Sequence, residues 1–156
     1  MLDDKLLERY SRQILLPEID LVGQEKIRQA SVLIVGCGGL GSMVALFLAG
    51  AGVGKLTLVD ADSVEVSNLH RQLAFRESDV AKPKAQALKD QLLALNSEIT
   101  VTAFLGRFGV DPESDTGLLS DAAMVIDVTD NLSSRHAIER LTRIMGKPWN
   151  QGAATP

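Results

Sequence analysis

The chain has 156 residues, 46% of them hydrophobic, which suffices for one globular domain with a sizeable core. Its formal net charge is -4 and its basic residues are scattered, so neither a nucleic-acid partner nor an anionic membrane surface is expected. The charged N-terminus excludes a secretory signal peptide, and no apolar stretch reaches the ~20 residues of a membrane span. The single cysteine, Cys37, excludes an internal disulfide. Together these features indicate a cytoplasmic protein.

Residues 1–29 are predicted to form a helical arm that precedes the first strand. Asp3–Arg9 has acidic residues early and an arginine late, as a short helix favours. The segment YSRQI (Tyr10–Ile14) and Pro17 follow, and Gln24–Gln29 is predicted as a second helix. Because the arm lies outside the strand–helix alternation, the residues alone favour a solvated cap.

The first strand leads directly into a glycine motif. Val32–Val35 is a continuous apolar run, typical of a strand buried on both faces. Gly36 permits a sharp turn, and Gly38 and Gly39 lack a Cβ, so a phosphate could approach their backbone. Gly41 would let the next helix pack closely against the strand. The motif therefore predicts a phosphate-binding turn, with a tight turn that binds nothing as the alternative.

The next helix, Ser42–Ala49, and the second strand, Lys55–Asp60, continue the pattern. Asp60 ends its strand some two dozen residues after the glycine turn, where nucleotide-binding folds place a carboxylate that holds ribose hydroxyls. A carboxylate that caps the following turn is the alternative. The irregular segment Asp62–Phe75 then carries a polar cluster of Asn68, Arg71 and Gln72, which is either a functional loop or a set of ordinary surface residues.

The second half of the chain repeats the alternation of helices and strands. Lys84 lies in the first turn of a helix that starts around Pro83 and stops at Asn96; a cation there opposes the helix dipole, so Lys84 is either functional or simply exposed. Asp130 could cap a helix or project into the crevice at the sheet edge. The remaining predicted elements are strands at Thr100–Leu105, Met124–Val128 and Lys147–Gly152 and helices at Asp111–Ser120 and Ser133–Met145.

The alternation of strands and helices along the chain predicts a single domain, residues 1–156, with an α/β fold. We expect a Rossmann-like, doubly wound, mainly parallel sheet with helices on both faces and the helical arm at its start. The glycine motif alone would suggest NAD. Arg71 and Lys84, however, are cations suited to charge that builds on a phosphate, and Asp130 is a suitable magnesium ligand. We therefore favour nucleotidyl transfer to a carboxylate. A nucleotide-binding module without chemistry and an NAD-dependent oxidoreductase are the alternatives.

Five ordered motifs carry a resemblance to a known family: RYSRQI, GCGGLG, the D-x-D…SNLHRQ run, AKPKA and DVTDNLSSR. Over nearly its whole length the chain resembles the ThiF/MoeB/HesA family, adenylyltransferases related to ubiquitin-activating enzymes. It is most similar to the molybdopterin-synthase and thiamine-biosynthesis members. The resemblance implies ATP-dependent adenylylation of the C-terminal glycine of a small ubiquitin-like sulfur carrier, which a sulfur donor then converts to a thiocarboxylate.

The resemblance also implies roles for individual residues. Asp60 would hold the ribose, Arg71 would be the main charge stabiliser, and Asp130 would bind Mg²⁺. Arg12 would reach the partner subunit's site, so a homodimer is implied. With Arg12, Arg71 and Asp130 as catalytic residues, the implied ATP-binding set is Gly36, Gly38, Gly39, Gly41, Asp60, Asn68, Arg71, Lys84, Asp130 and Asn131. Cys37 is expected to be a packing residue, and His70 is given no role.

The chain departs from the family pattern at its end. Family members continue into a carrier-binding half that often holds a pair of Cys-x-x-Cys zinc motifs and sometimes a reactive cysteine. This chain stops at Pro156, just after GAAT, where the family has a strand leading into that half. We therefore expect an N-terminal fragment, truncated at its C-terminus; no zinc site is assigned, and one could lie only in the part beyond it.

Overall fold

A five-stranded parallel β-sheet forms the centre of the fold in the computed structural model, which describes residues 3–153. The strand order is β3-β2-β1-β4-β5, and every pairing is parallel. The strands are β1 (Ser31–Val35), β2 (Lys55–Asp60), β3 (Thr100–Leu105), β4 (Met124–Asp127) and β5 (Trp149–Gln151). The predicted doubly wound, Rossmann-like sheet is confirmed, and it is parallel throughout.

Seven α-helices are described within residues 3–153. They are α1 (Asp4–Arg9), α2 (Ser11–Ile14), α3 (Asp20–Gln29), α4 (Gly39–Ala51), α5 (Lys84–Leu95), α6 (Pro112–Ser120) and α7 (Leu132–Met145), with short 3-10 turns at Val66–Asn68 and Glu77–Asp79. Helix α4 begins three residues before the predicted Ser42, and α3 begins at Asp20 rather than at Gln24. Pro83 caps α5 instead of lying in its first turn. No helix in this part of the chain is both long and apolar enough to span a bilayer.

Both faces of the sheet are covered, which explains the continuous apolar run of β1. Ile34 faces a core that includes Ala45 of α4 and Leu88 of α5. Leu33 faces a second core shared with Ile138 of α7. Because β1 is the central strand, its side chains are buried whichever way they point.

The N-terminal arm is anchored to the domain at a few buried residues, while most of residues 11–23 are exposed, so the predicted solvated cap describes only part of the arm. The Tyr10 side chain is 1% exposed, and its hydroxyl accepts a hydrogen bond from Asn96 Nδ2 at 2.9 Å. A Cβ on Gly52 would lie 2.5 Å from the Tyr10 ring, so this glycine makes room for it. Gln13 Nε2 and Gln24 Nε2 both donate to the Ala51 carbonyl. These contacts tie the arm to the C-terminal end of α4.

Two glycines set the geometry where β1 meets α4. Gly36 has φ +99°, a left-handed conformation that favours glycine, and its position leaves no space for a Cβ beside the Val128 carbonyl, 2.8 Å away. A Cβ on Gly41 would lie 1.8 Å from the Gly36 carbonyl oxygen. The helix therefore starts as close to the sheet as a backbone allows. Residues 154–156, which comprise the last two residues of GAAT and Pro156, lie outside the described residues, as do residues 1–2.

Candidate nucleotide-binding site

A cleft of about 910 Å³ opens at the carboxyl edge of the sheet. It is bounded by the β1–α4 turn, the long segment after β2, the first turn of α5, and the loops that follow β3 and β4. Of the predicted site residues, nine line it: Gly36, Gly38, Gly39, Asp60, Asn68, Arg71, Lys84, Asp130 and Asn131. Ligands of open α/β sheets bind at this edge.

Two predicted site residues lie apart from the cleft. Gly41 is buried behind the turn and does not line the cleft; its close approach to Gly36 confirms the packing role predicted for it, and its ATP-binding role stays a prediction. Arg12 is exposed on α2 in the arm and is also absent from the lining. The role of Arg12 at a partner subunit's nucleotide, which the family resemblance implies, stays a prediction.

The N-terminus of α4 faces the cleft with free backbone donors. Gly38 is its N-cap residue, and no side chain caps the helix. The first N–H groups of a helix lack intrahelical partners and carry the positive end of its dipole. A Cβ on Gly39 would have the Arg71 carbonyl oxygen, 3.8 Å away, as its nearest neighbour, so the space above the turn is open. A phosphate group fits this cradle in shape and in charge.

Asp60 links the glycine turn to the segment that follows β2. Its Oδ2 accepts a hydrogen bond from the Cys37 N–H and its Oδ1 accepts one from the Asp62 N–H, both at 2.7 Å. Burial raises the pKa of the Asp60 carboxyl, and these two donors and Lys84 lower it by less. Each oxygen retains a lone pair for a further donor, which suits ribose hydroxyls.

Cys37 is fully buried in the first core, as expected for a packing residue. Burial raises the pKa of its thiol, and the Asp60 carboxylate raises that pKa further. Such a thiol is not a reactive nucleophile, because the thiolate is the reactive form.

Lys84 is buried, so the alternative of an exposed lysine is wrong. Its side chain is 9% exposed, and Nζ donates to Asp62 Oδ2 at 2.9 Å, while the Lys84 N–H donates to the Asp62 carbonyl at 2.8 Å. This pairing offsets the unfavourable position of a cation at the N-terminus of α5. Asp62 was not predicted as a site residue, although it forms the D-x-D motif with Asp60.

The segment after β2 brings its polar residues against the glycine turn. Asn68 is buried, and its Oδ1 accepts from the Glu65 N–H at 3.2 Å, which leaves its amide hydrogens without an acceptor in residues 3–153. Arg71 is exposed, and its Nη1 donates to the Ser67 carbonyl at 3.0 Å. Gln72 is 4% exposed, and its Oε1 has no hydrogen-bond partner in the described part of the chain.

The loop between β4 and α7 is held by a buried carboxylate that the sequence analysis left without a role. Asp127 is completely buried, and its Oδ1 accepts from the Thr129 N–H at 3.0 Å and from Thr129 Oγ1 at 2.8 Å. The Thr129 carbonyl in turn accepts from Arg135 Nε at 3.0 Å. This chain of bonds fixes the backbone on which Asp130 and Asn131 stand.

Asn131, and not Asp130, caps α7. Asn131 Oδ1 accepts from the Ser134 N–H at 2.9 Å, the usual N-cap contact. The capping role we considered for Asp130 is therefore wrong. Asp130 is exposed at the cleft and makes no hydrogen bond to any residue of 3–153.

The carboxylates of the cleft differ in whether they accept hydrogen bonds from protein donors. Asp60, Asp62 and Glu65 each accept a hydrogen bond from the protein, whereas Asp130 has both oxygens available among the described residues. No group of three His, Cys, Asp or Glu side chains suited to a metal occurs in residues 3–153. Mg²⁺ is usually held by one or two carboxylates together with substrate phosphates, so a lone Asp130 beside a phosphate cradle fits this ion.

Two arginines in the cleft were not predicted as site residues. Arg135 belongs to the DVTDNLSSR motif and Arg107 follows the end of β3. The rule that ligands bind beyond the carboxyl ends of parallel strands would have indicated Arg107, since it lies two residues after such an end.

Two curated adenylyltransferases are similar in sequence to nearly the whole of this chain. Molybdopterin-synthase adenylyltransferase of Salmonella typhimurium is 42% identical over 153 residues, covering 98% of this chain and 61% of that protein. The sulfur carrier protein ThiS adenylyltransferase of Escherichia coli is 43% identical over 147 residues, covering 94% and 58%. The chain thus spans about three-fifths of the length of these two relatives.

Solved structures agree with this fold. PaaA matches with a TM-score of 0.87 and 33% identity, covering 99% of this chain and 49% of that chain. E. coli MccB with ATP matches with a TM-score of 0.75 and 32% identity, covering 82% and 38%. The model of the ThiF family matches residues 10–155. The chain belongs to the ThiF family.

Proposed function

We propose that the chain carries the nucleotide site of an adenylyltransferase that activates the C-terminal glycine of a ubiquitin-like sulfur carrier of the molybdopterin or thiamine type. One observation carries the proposal: the glycine turn, the Asp60 carboxylate and the cations Arg71 and Lys84, from separate segments, line a single cleft. The names of the two adenylyltransferase relatives and the ATP-containing MccB structure support it.

The reaction needs a site that binds a triphosphate and stabilises charge on its α-phosphate. A carboxylate oxygen of the carrier attacks the α-phosphorus of ATP, the bond from that phosphorus to the bridging oxygen breaks, and pyrophosphate leaves. The acyl adenylate remains, and no protein nucleophile takes part. Negative charge grows on the phosphate oxygens, and fixed cations that need not reorganise stabilise it most effectively.

Lys84 and Arg71 supply these cations in different ways. Lys84 is buried and held in place by Asp62, so it is preorganised at the wall of the cleft. Arg71 is exposed, and its bond to the Ser67 carbonyl still leaves donors for an oxyanion. Asn68 has amide hydrogens available for the triphosphate. The turn at Gly38 and Gly39 receives a phosphate on its backbone N–H groups.

Asp60 and Asp130 take the two remaining roles. Asp60 accepts hydrogen bonds from the ribose hydroxyls, and its bond from the Cys37 N–H keeps it next to the turn. Asp130 is the residue that would hold Mg²⁺. When bound, this ion neutralises phosphate charge and favours the departure of pyrophosphate.

The proposal includes a homodimer in which Arg12 serves the partner's site. The arm exposes four large apolar side chains, Leu15 and Leu16 just after α2 and Leu21 and Val22 in α3, with Leu15 74% exposed. Burial of these side chains against a second copy would favour association. The family resemblance assigns carrier binding mainly to a part of such enzymes beyond the segment matched here, which spans 61% and 58% of the two relatives.

Two measurements on the full-length protein test the proposal. Calorimetric titration should show binding of Mg-ATP and none of NADH. With a carrier that ends in Gly-Gly, ATP–pyrophosphate exchange should appear, and Arg71→Ala should lower it about a hundredfold or more. Arg140→Ala is the matched control, because Arg140 is exposed on α7 outside the cleft.

Each contrary result has its own meaning. Tighter binding of NADH than of ATP would favour the oxidoreductase, and ATP binding without exchange would favour a non-catalytic module. Exchange at the wild-type rate in Arg71→Ala would contradict the role of that arginine while leaving the reaction in place.

A further inference from the structure

Arg107 differs from the other cationic side chains of the cleft. Four such side chains line it, and three of them, Arg71, Lys84 and Arg135, each donate a hydrogen bond to a neighbouring oxygen. Arg107 is exposed and makes no hydrogen bond or ion pair with any residue in 3–153. A cation that faces a cleft without an internal partner is available to a ligand.

The backbone around Arg107 is nevertheless held in place on both sides. The Gly106 N–H donates to the Asp60 carbonyl at 3.2 Å, which joins the end of β3 to the end of β2. On the other side, the Phe108 carbonyl accepts from Ser134 Oγ at 2.6 Å, and the Phe108 side chain is 1% exposed. The main chain is therefore preorganised, and only the Arg107 side chain remains free to engage a ligand.

The position of Arg107 along the sheet edge indicates which part of a nucleotide it would meet, a step that rests on the proposed function. The phosphate cradle lies where β1 ends, and Asp60 ends the neighbouring β2. The next strand outward is β3, where Leu105 is paired with Asp60 and Arg107 follows two residues later. A nucleotide with its phosphates over β1 and its ribose at β2 extends its base toward β3.

We propose that Arg107 contacts the adenine base of ATP, with its guanidinium plane against the ring, and thereby contributes to the affinity for the whole nucleotide. The planar guanidinium stacks on aromatic faces and can also donate to ring nitrogens. A lysine at this position would keep the charge and lose the planar contact. The triphosphate is not needed for this interaction, since the glycine turn follows β1, which lies on the opposite side of β2 from β3.

The test compares ligands with and without a base in the full-length protein. Affinities for Mg-ATP and for tripolyphosphate, the latter by competition, are measured for the wild type, Arg107→Ala, Arg107→Lys and the control Arg140→Ala. We expect Arg107→Ala to weaken ATP binding about three- to thirtyfold and to leave tripolyphosphate binding within about twofold. Arg107→Lys should recover little of the ATP affinity, and Arg140→Ala should bind both ligands as the wild type does.

Other outcomes overturn the inference. Unchanged ATP affinity in Arg107→Ala shows that the side chain does not touch the nucleotide. An equal loss for ATP and tripolyphosphate makes Arg107 a phosphate contact, and full recovery in Arg107→Lys shows that charge alone matters. A wild-type protein that does not bind ATP overturns the proposed function and this inference together, whereas the preceding results leave the proposed function standing.

Discussion

The Cys37 N–H donates to Asp60 Oδ2 at 2.7 Å, so the glycine turn after β1 and the carboxylate at the end of β2 are directly bonded. The second oxygen of Asp60 accepts the Asp62 N–H at the same distance. One side chain therefore positions the phosphate cradle and also the residue that anchors Lys84. It achieves this in a largely buried place, and burial raises the pKa of the carboxyl.

The raised pKa of Asp60 predicts a pH-dependent stability with a definite sign. Because the folded state favours the protonated carboxyl more than the unfolded state does, its contribution is complete below the ordinary pKa of 3.8 and is lost as the pH rises through the folded pKa. The free energy of unfolding of the wild type, relative to Asp60→Asn, should therefore fall as the pH rises above that value. Urea denaturation between about pH 3 and pH 7 measures this difference.

Asp79 provides a control of opposite sign. The hydrogen bond from Lys82 lowers the pKa of Asp79, so its contribution is present above the ordinary pKa and is lost as the pH falls through the folded one. The stability of the wild type relative to Asp79→Asn should therefore rise with pH. If the stability difference between wild type and variant changed with pH in the same direction for Asp60→Asn and Asp79→Asn, this account of Asp60 would be contradicted.

A second prediction compares Gly39→Ala, which should impair ATP binding, with Gly41→Ala, which should impair stability. Gly39→Ala should leave the free energy of unfolding unchanged or raise it by up to ~1 kcal/mol, since the new Cβ meets nothing closer than 3.8 Å and glycine is unfavourable in a helix. ATP binding should weaken about tenfold or more, about 1.4 kcal/mol, because the methyl group occupies the path of the phosphate.

Gly41→Ala is the matched variant for the fold. Its Cβ would lie 1.8 Å from the Gly36 carbonyl oxygen, so the start of α4 must move and stability should fall by about 1–3 kcal/mol. Denaturation and calorimetric titration of both variants give the comparison. ATP binding by Gly39→Ala at the wild-type level would show that no phosphate approaches this turn.

The sequence predicted those parts of the fold and site that depend on local pattern. The run Val32–Val35 indicated a strand buried on both faces, and the glycine spacing and strand ends placed Gly39 and Asp60 at one edge. The start of α4 was predicted too late, since Gly39 and Gly41 are weak helix formers, and the close packing of Gly41 against Gly36 is not visible in the sequence pattern.

Features that depend on distant contacts were missed. The anchoring of the arm was not predicted, because it depends on a hydrogen bond between Tyr10 and Asn96, which are 86 residues apart. The burial of Lys84 and the bonds from Asp127 to Thr129 arise from side-chain packing that periodicity does not encode. Arg107 was overlooked because no motif contains it, although the strand it follows was predicted with the correct bounds.

A third prediction compares two lysines that are two residues apart. Lys84→Met should lower ATP–pyrophosphate exchange about a hundredfold, because a fixed cation at the reacting phosphates is lost. The fold should persist, since the partner Asp62 is 64% exposed and is not left as a buried charge. Lys82→Met, which removes a half-exposed lysine paired with Asp79, should change exchange less than about twofold. Similar losses of exchange activity in Lys84→Met and Lys82→Met would contradict a catalytic role specific to Lys84.

The final prediction is that Arg12 acts across a dimer interface. Arg12 is exposed on the arm and does not line its own cleft, whereas Asp130 does. Arg12→Ala and Asp130→Ala, each in the full-length protein, should both be nearly inactive in pyrophosphate exchange. One lacks the donated cation and the other lacks the carboxylate proposed to hold Mg²⁺.

Mixing the two variants under conditions that allow subunit exchange distinguishes action in trans from action in cis. If Arg12 serves the partner's site, each mixed dimer contains one site with both defects and one with neither. When half of the dimers are mixed, about a quarter of all sites are intact, and exchange activity should recover to about that fraction. If Arg12 acts within its own subunit, every site retains one defect, and mixing restores nothing. Formation of mixed dimers, confirmed with two differently tagged chains, makes an absence of recovery decisive against donation in trans.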